Sequence, residues 1–161
     1  MHAFRIPALL CIAFALAGCG HDSAPSRAPT AATTPGDAAN GATATSNGIT
    51  LRANVVETQD LQASVAAGYG IAREPNQALL LLTVRDANGD NAMPVSLQAS
   101  VSSLKGGEQA LPLREIRTGG FVDRIALVPV SAPDTLTFEI RAQLTPGSTS
   151  TVRVSRDFYP R

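Results

Sequence analysis

The stretch Leu136-Thr137-Phe138-Glu139-Ile140-Arg141-Ala142-Gln143-Leu144 alternates apolar and polar residues without a break. Successive side chains of an extended chain point to opposite faces, so this run makes a strand with one buried and one wet face. It is incompatible with an amphipathic helix, whose apolar positions recur every three or four residues. The same alternation recurs in Ile49 to Val55 and Val95 to Val101. Gln77 to Arg85, with Leu79 to Leu82 in a row, reads as a strand buried on both faces. Leu111 to Thr118, Phe121 to Val128 and Thr149 to Asp157 complete the set. Turn chemistry separates them at Asp86-Ala87-Asn88-Gly89-Asp90-Asn91, Gly106-Gly107, Gly119-Gly120 and Pro146-Gly147. About seven short strands at this spacing predict an all-β, immunoglobulin-like antiparallel sandwich over residues 48–161. The Cys…Trp…Cys signature is absent, so the comparison describes architecture only. One short helix is expected from Asp60 to Tyr69, with Asp60 as its cap and Gly70 ending it in the left-handed conformation.

The N-terminus has a different character. Met1 to Arg5 is short and weakly basic, and Ile6 to Ala15 is apolar and uncharged. Such a run is too short to span a bilayer, which takes about 20 apolar residues, and it reads as a secretory signal over residues 1–18. Leu16-Ala17-Gly18-Cys19 resembles the bacterial lipobox. That resemblance implies cleavage between Gly18 and Cys19 and a lipid on the Cys19 sulfur. Gly20 in place of an aspartate implies the outer membrane of a Gram-negative envelope. Several acyl chains, each gaining about 0.8 kcal/mol per buried methylene, anchor a protein stably. Residues 19–47 are rich in Ala, Thr, Ser, Pro and Gly without apolar periodicity. They are expected to be a flexible tether or an extended arm that packs on a partner.

Composition then removes chemistry. The chain has two His and two Cys. His2, His21, Cys11 and Cys19 all precede the predicted domain, which therefore offers neither a hydrolytic triad nor a common zinc site. The formal net charge is +0 with no basic stripe, which argues against nucleic acid as a partner. Lys105 is flanked by Gly106-Gly107 in an expected loop tip, where the desolvation that Schiff-base chemistry needs is absent. Glu115, Asp123, Glu139 and Asp157 are carboxylates on strands, and their polar or basic neighbours mark solvated faces rather than a glycosidase pair.

The segments Ala67-Gly68-Tyr69-Gly70-Ile71-Ala72-Arg73, Asn76-Gln77-Ala78-Leu79-Leu80, Leu113-Arg114-Glu115-Ile116-Arg117, Leu136-Thr137-Phe138 and Phe158-Tyr159 follow one another in fixed order. Together they resemble a proteobacterial family known as domain of unknown function 4426, over nearly all of residues 48–161. The resemblance implies a secreted or lipid-anchored protein. It brings no activity and no assigned site residues.

Candidate interaction residues come from the residues themselves. Tyr69, Arg73 and Asn76 lie in a connection between the short helix and the first long buried strand, where functional side chains concentrate. Tyr69 reads equally well as a core plug. Arg114, Glu115 and Arg117 form the densest charge group of the domain, read either as a polar anchor for a partner or as an exposed ion pair. The loop Asp86 to Asn91 reads as a hairpin turn, with a loose calcium site as the alternative, because Gly89 stands fourth and not sixth as in an EF-hand. Phe158 and Tyr159 are expected to pack. No cofactor is expected. The function that fits is a non-enzymatic protein-binding or accessory module in the cell envelope; the alternative is a carrier or sensor of a small molecule or calcium.

Overall fold

The computed structural model describes residues 41–160. In chain order the strands are β1 (Ala42–Ser46), β2 (Ile49–Glu57), β3 (Gln77–Arg85), β4 (Ser96–Ser103), β5 (Gln109–Leu111), β6 (Arg114–Thr118), β7 (Phe121–Pro129), β8 (Asp134–Thr145) and β9 (Ser148–Phe158). They form two antiparallel sheets, one in the order β1-β2-β3-β7-β6 and one in the order β5-β4-β8-β9. A 3-10 turn (Thr58–Asp60) and one helix, α1 (Ala63–Tyr69), lie between β2 and β3. Among the described residues no helix is long and apolar enough to cross a membrane.

The alternation in the sequence is the alternation of burial. Along β8, Leu136, Phe138, Ile140, Ala142 and Leu144 are buried. They meet Leu51, Val55, Leu80, Leu82, Val84 and Val128 from the facing sheet in one core. Phe138, wholly buried, pairs with Val101 on β4 and Val154 on β9. β3 is apolar on both faces for a reason visible in the packing. Ala78 and Leu80 join the main core, while Leu79 joins Ile116 and Ile125 in a smaller cluster on the opposite face, with Tyr69 and Ile71 packed against it.

Several sequence expectations shift. The first strand, β1, falls inside the stretch read as tether. Its Ala-Thr alternation carries too little apolar mass to stand out, yet Ala44 is buried against the core. The segment Leu111 to Thr118 is two strands and not one. β5 belongs to one sheet and β6 to the other, and the chain crosses between them at Pro112-Leu113. Proline cannot donate to a ladder, so a crossing is where it fits. Nine strands therefore stand where about seven were expected. Asp60 does not cap the helix. It ends the 3-10 turn, and α1 begins after Gln62 without a side-chain cap. Gly70 does terminate α1 in the left-handed region, at φ 62°, donating its N–H to the carbonyls of Ala66 and Ala67. The Asp86–Asn91 segment is a tight turn, with Asp86 Oδ1 accepting the N–H groups of Asn88 and Asp90. It does not join paired strands as a hairpin would, because β4 lies in the other sheet.

The outer face of the β5-β4-β8-β9 sheet is polar. There Glu139 is held between Arg153 at 2.5 Å and Arg141 at 2.6 Å. The hydrogen bond from Arg153, then that from Arg141, holds its carboxyl below the usual range. A depressed folded-state value adds stability above the unfolded-state value and loses it as pH falls through the folded one. Both arginines are more than 60 % exposed, at 63% and 68%, so the gain is small and screened by salt. Urea unfolding of Glu139→Gln against the native chain is expected to show a deficit near neutral pH at low salt that disappears in acid. Phe138→Ala is expected to cost about 3–5 kcal/mol, because its wholly buried ring has no neighbour free to fill the space.

Candidate functional site

Asn47-Gly48, Gly119-Gly120 and Pro146-Gly147 close one end of the sandwich, the turn end, together with the 86–95 connection that carries the chain from β3 to β4 in the other sheet. Residues 58–76, 104–108 and 130–133, with the chain after β9, gather at the loop end. The longest of these loops is pinned. Thr58 is wholly buried, and its Oγ1 donates to the Glu74 carbonyl at 2.8 Å and accepts the Glu74 N–H at 3.1 Å. Arg73 donates to the Gln59 carbonyl at 2.7 Å. Asn76 sits at φ 61°, a region asparagine tolerates, and its carbonyl accepts the Val130 N–H at 2.8 Å. A connection tied at both ends in this way presents a defined surface.

That surface has two recesses on either side of Phe158-Tyr159. The first, about 170 Å³, has Val130, Ala132, Pro75 and Phe158 as apolar lining and Glu57, Gln59, Asn76 and Gln77 as polar lining. The second, about 340 Å³ and more open, is lined by Leu104, Pro133, Asp134, Thr135 and Asp157. Phe158 is buried in the core, as expected of the residue that closes the last strand. Tyr159, expected to pack, instead stands 71% exposed between the recesses, because the last core position of β9 is already filled by Phe158. Leu104 is 80% exposed beside it.

The other residues singled out in the sequence divide between places. Of Tyr69, Arg73 and Asn76, only Asn76 lines a recess. Arg73 braces the loop behind it. Tyr69 lies on the outer face of the five-stranded sheet, packed on the Leu79, Ile116 and Ile125 cluster. Arg114 reaches it there, donating to the Tyr69 carbonyl at 3.1 Å. Glu115 and Arg117 pair at 2.7 Å, as neighbours on one face of a strand can, and Arg124 approaches the same carboxylate at 3.5 Å. The three are thus split between two faces of β6, Arg114 on the helix side and the Glu115–Arg117 pair on the other. Gly18 and Cys19 lie outside the described residues.

Asp123 on β7, read from the sequence as a carboxylate on a solvated face, is instead 8% exposed and forms an ion pair with Arg85 on β3. The Arg85 guanidinium also covers the Phe121 ring at 4.9 Å and donates to the carbonyls of Val84 and Val122. The polar signal was present in the alternation of Phe121 to Val128, but the pairing of β3 with β7 is not local. Burial, then the Asp123 carboxylate, raises the Tyr69 hydroxyl above its ordinary value, with Arg85 opposing. The pair and Tyr69, the last residue of α1, thus share the outer face of the five-stranded sheet. Among the described residues no group of three or more His, Cys, Asp or Glu is placed to hold a metal ion.

Two antiparallel sheets around one core define a small β-sandwich of the kind that presents loops from a rigid frame. The model of the family described as "Domain of unknown function (DUF4426)" matches residues 44–161, and the chain belongs to that family. The crystal structure of a DUF4426 family protein from Pseudomonas aeruginosa PAO1 superposes with a TM-score of 0.61 at 20% identity, covering 76% of this chain and 98% of that one. No curated protein matches the chain. The likeness supports the fold, and the start of the family match at residue 44 agrees with β1 as part of the domain.

Two predictions follow from the buried group. In a spectrophotometric titration, Tyr69 is expected to ionise above the ordinary tyrosine range, and Asp123→Asn to lower it only part of the way, since burial remains. The same substitution is expected to cost about 2 kcal/mol in urea unfolding, less than for a fully buried pair because Arg85 keeps partial access to water.

Proposed function

We propose that this is an outer-membrane lipoprotein, anchored through Cys19 and facing the periplasm, that works as a non-enzymatic protein-binding or accessory module through the loop end of its sandwich. The observation that carries the reading is the exposure of Tyr159 and Leu104 at 71% and 80% on a braced loop surface. Large side chains left out of a core this well filled mark contact surfaces, and tyrosine is enriched where proteins meet. The tighter recess, at about 170 Å³, suits one inserted side chain better than a metabolite, whose sites run to roughly 300–1,000 Å³. Leu16-Ala17-Gly18-Cys19 supports the anchor.

Crosslinking in native envelopes, comparing the native chain with Cys19→Ala, tests the proposal. A specific partner is expected with the native chain and is expected to be lost when the anchor is removed. Absence of any partner above background in both would overturn it.

A further inference from the structure

The two sides of the sandwich are not alike. On the side where β1 and β9 end the sheets, side chains tie one sheet to the other. Ser46 and Ser148 share a hydrogen bond at 2.6 Å, Asn47 donates to Thr145 Oγ1 at 3.0 Å, and Arg156 on β9 donates to the Val55 carbonyl on β2 at 3.0 Å. The opposite side is formed by β5 and β6, and among the described residues no strand lies beyond β6. Which backbone groups of β6 are free follows from its pairing with β7. Thr118 and Phe121 flank the two-residue Gly119-Gly120 turn, whose glycines both have positive φ, so they form a hydrogen-bonded pair. Ile116–Asp123 and Arg114–Ile125 follow in alternation. Glu115 and Arg117 therefore point their N–H and C=O groups away from β7. Val122, the register partner of Arg117, shows the same alternation. Its N–H is taken by Asn91 at 2.8 Å and its carbonyl by Arg85 at 3.1 Å, on the side away from β6. We propose that this edge pairs, antiparallel, with the same edge of a second copy of the chain and joins the two five-stranded sheets into one.

The residues of β6 select both the occupant and the register. Two such edges bond only where outward-facing residues stand opposite one another. Glu115 can thus face Glu115, Arg117 can face Arg117, or Glu115 of each copy can face Arg117 of the other. The first two set like charges opposite each other, which is destabilising, and run part of each strand past the end of its neighbour. The third sets opposite charges together twice. It alone pairs the whole of Arg114–Thr118, with Arg114 facing Thr118 and Ile116 facing Ile116. The molecule already contains such an arrangement. Glu139 on β8 bonds Arg141 two residues on and Arg153 directly opposite on β9. Glu115 holds Arg117 two residues on at 2.7 Å, while its other oxygen has Arg124 at 3.5 Å and keeps room for a second guanidinium. Edge strands are commonly blunted by proline, by a bulge or by lysine, and β6 has none of these. On the outer face of β6, where Arg114 bonds the Tyr69 carbonyl, the residues α1 exposes besides Val65 are Ala63, Ser64, Ala67 and Gly68, all small. A contact of one strand is smaller than the roughly 1,000 Å² of a stable interface. The pairing is therefore weak in dilute solution and depends on both copies being held on one membrane, which the anchor proposed above supplies.

The test expresses the full chain in native envelopes in two forms, one tagged and one with a photoreactive amino acid at position 118. Light is expected to join the two forms, with the label on the segment around Arg114 of the tagged copy. Glu115→Arg in both forms, or Arg117→Glu in both, is expected to reduce this product at least about tenfold, because like charges then face each other. Glu115→Arg in one form with Arg117→Glu in the other is expected to restore most of it, a rescue that a purely local role of the ion pair does not give. No product between native copies, no restoration in the exchanged pair, or a label from position 118 on a different protein would overturn the proposal. The loop end takes no part in this contact, so the protein-binding reading stands or falls by its own crosslinks.

Discussion

Everything in this domain depends on one layer of apolar side chains trapped between two sheets. Phe138, Ile140 and Leu144 on one side and Leu51, Leu80 and Leu82 on the other are almost wholly removed from water. Burial on this scale contributes about 25 cal/mol for each Å² of apolar surface, and no disulfide or metal assists it among the described residues. Because the side-chain period of a strand is two, a one-residue slip anywhere would turn this layer out to solvent. The register is therefore fixed by the core, and the polar faces and loops are placed as a consequence.

The consequence that matters for function is the difference between the two ends. At the turn end, glycines with positive φ at 48, 119, 120 and 147 close tight connections. The 86–95 crossing to the other sheet lies at the same end, while the loop end carries the helix-bearing 58–76 connection, residues 104–108 and the 130–133 crossing. Those segments are not slack. Thr58, Arg73 and Asn76 tie the 58–76 connection to itself and to Val130, so the tighter recess beside Tyr159 keeps its shape without a ligand. A preformed surface loses little entropy on binding, and this favours a contact role. The Arg85–Asp123 pair does a different job. It ties β3 to β7 on the outer face of the five-stranded sheet.

Much of the architecture was legible in the alternation. The bounds of β3 coincide with the run Gln77 to Arg85, and its double-faced burial was readable from consecutive leucines. Gly70 marked the end of α1 because only a residue that accepts positive φ fits there. What was not legible lacked a local signal. β1 is built of alanine and threonine, and its composition merges with the segment before it. Pro112 lies inside the run Leu111 to Thr118 that reads as one strand, yet its effect is to move the chain from one sheet to the other. Asn76 was readable as a loop residue of interest, but the tighter recess was not. It is assembled from β2, β3, the β7–β8 connection and the end of β9, which alternation within single strands does not bring together. Tyr159 looked like a partner of Phe158 in packing, whereas adjacent residues on a strand face opposite ways.

The most direct measurement of the central claim, that the loop end is the working surface, is a scan with a photoreactive amino acid in native envelopes. Positions 104, 159 and 76 sample the loop end; 119 and 146 sample the turn end; 141 and 153 sample the polar sheet face. The account predicts product crosslinked to another protein from the loop-end positions and little from the other two sets. Such product confined to the turn end or to the polar sheet face would contradict it.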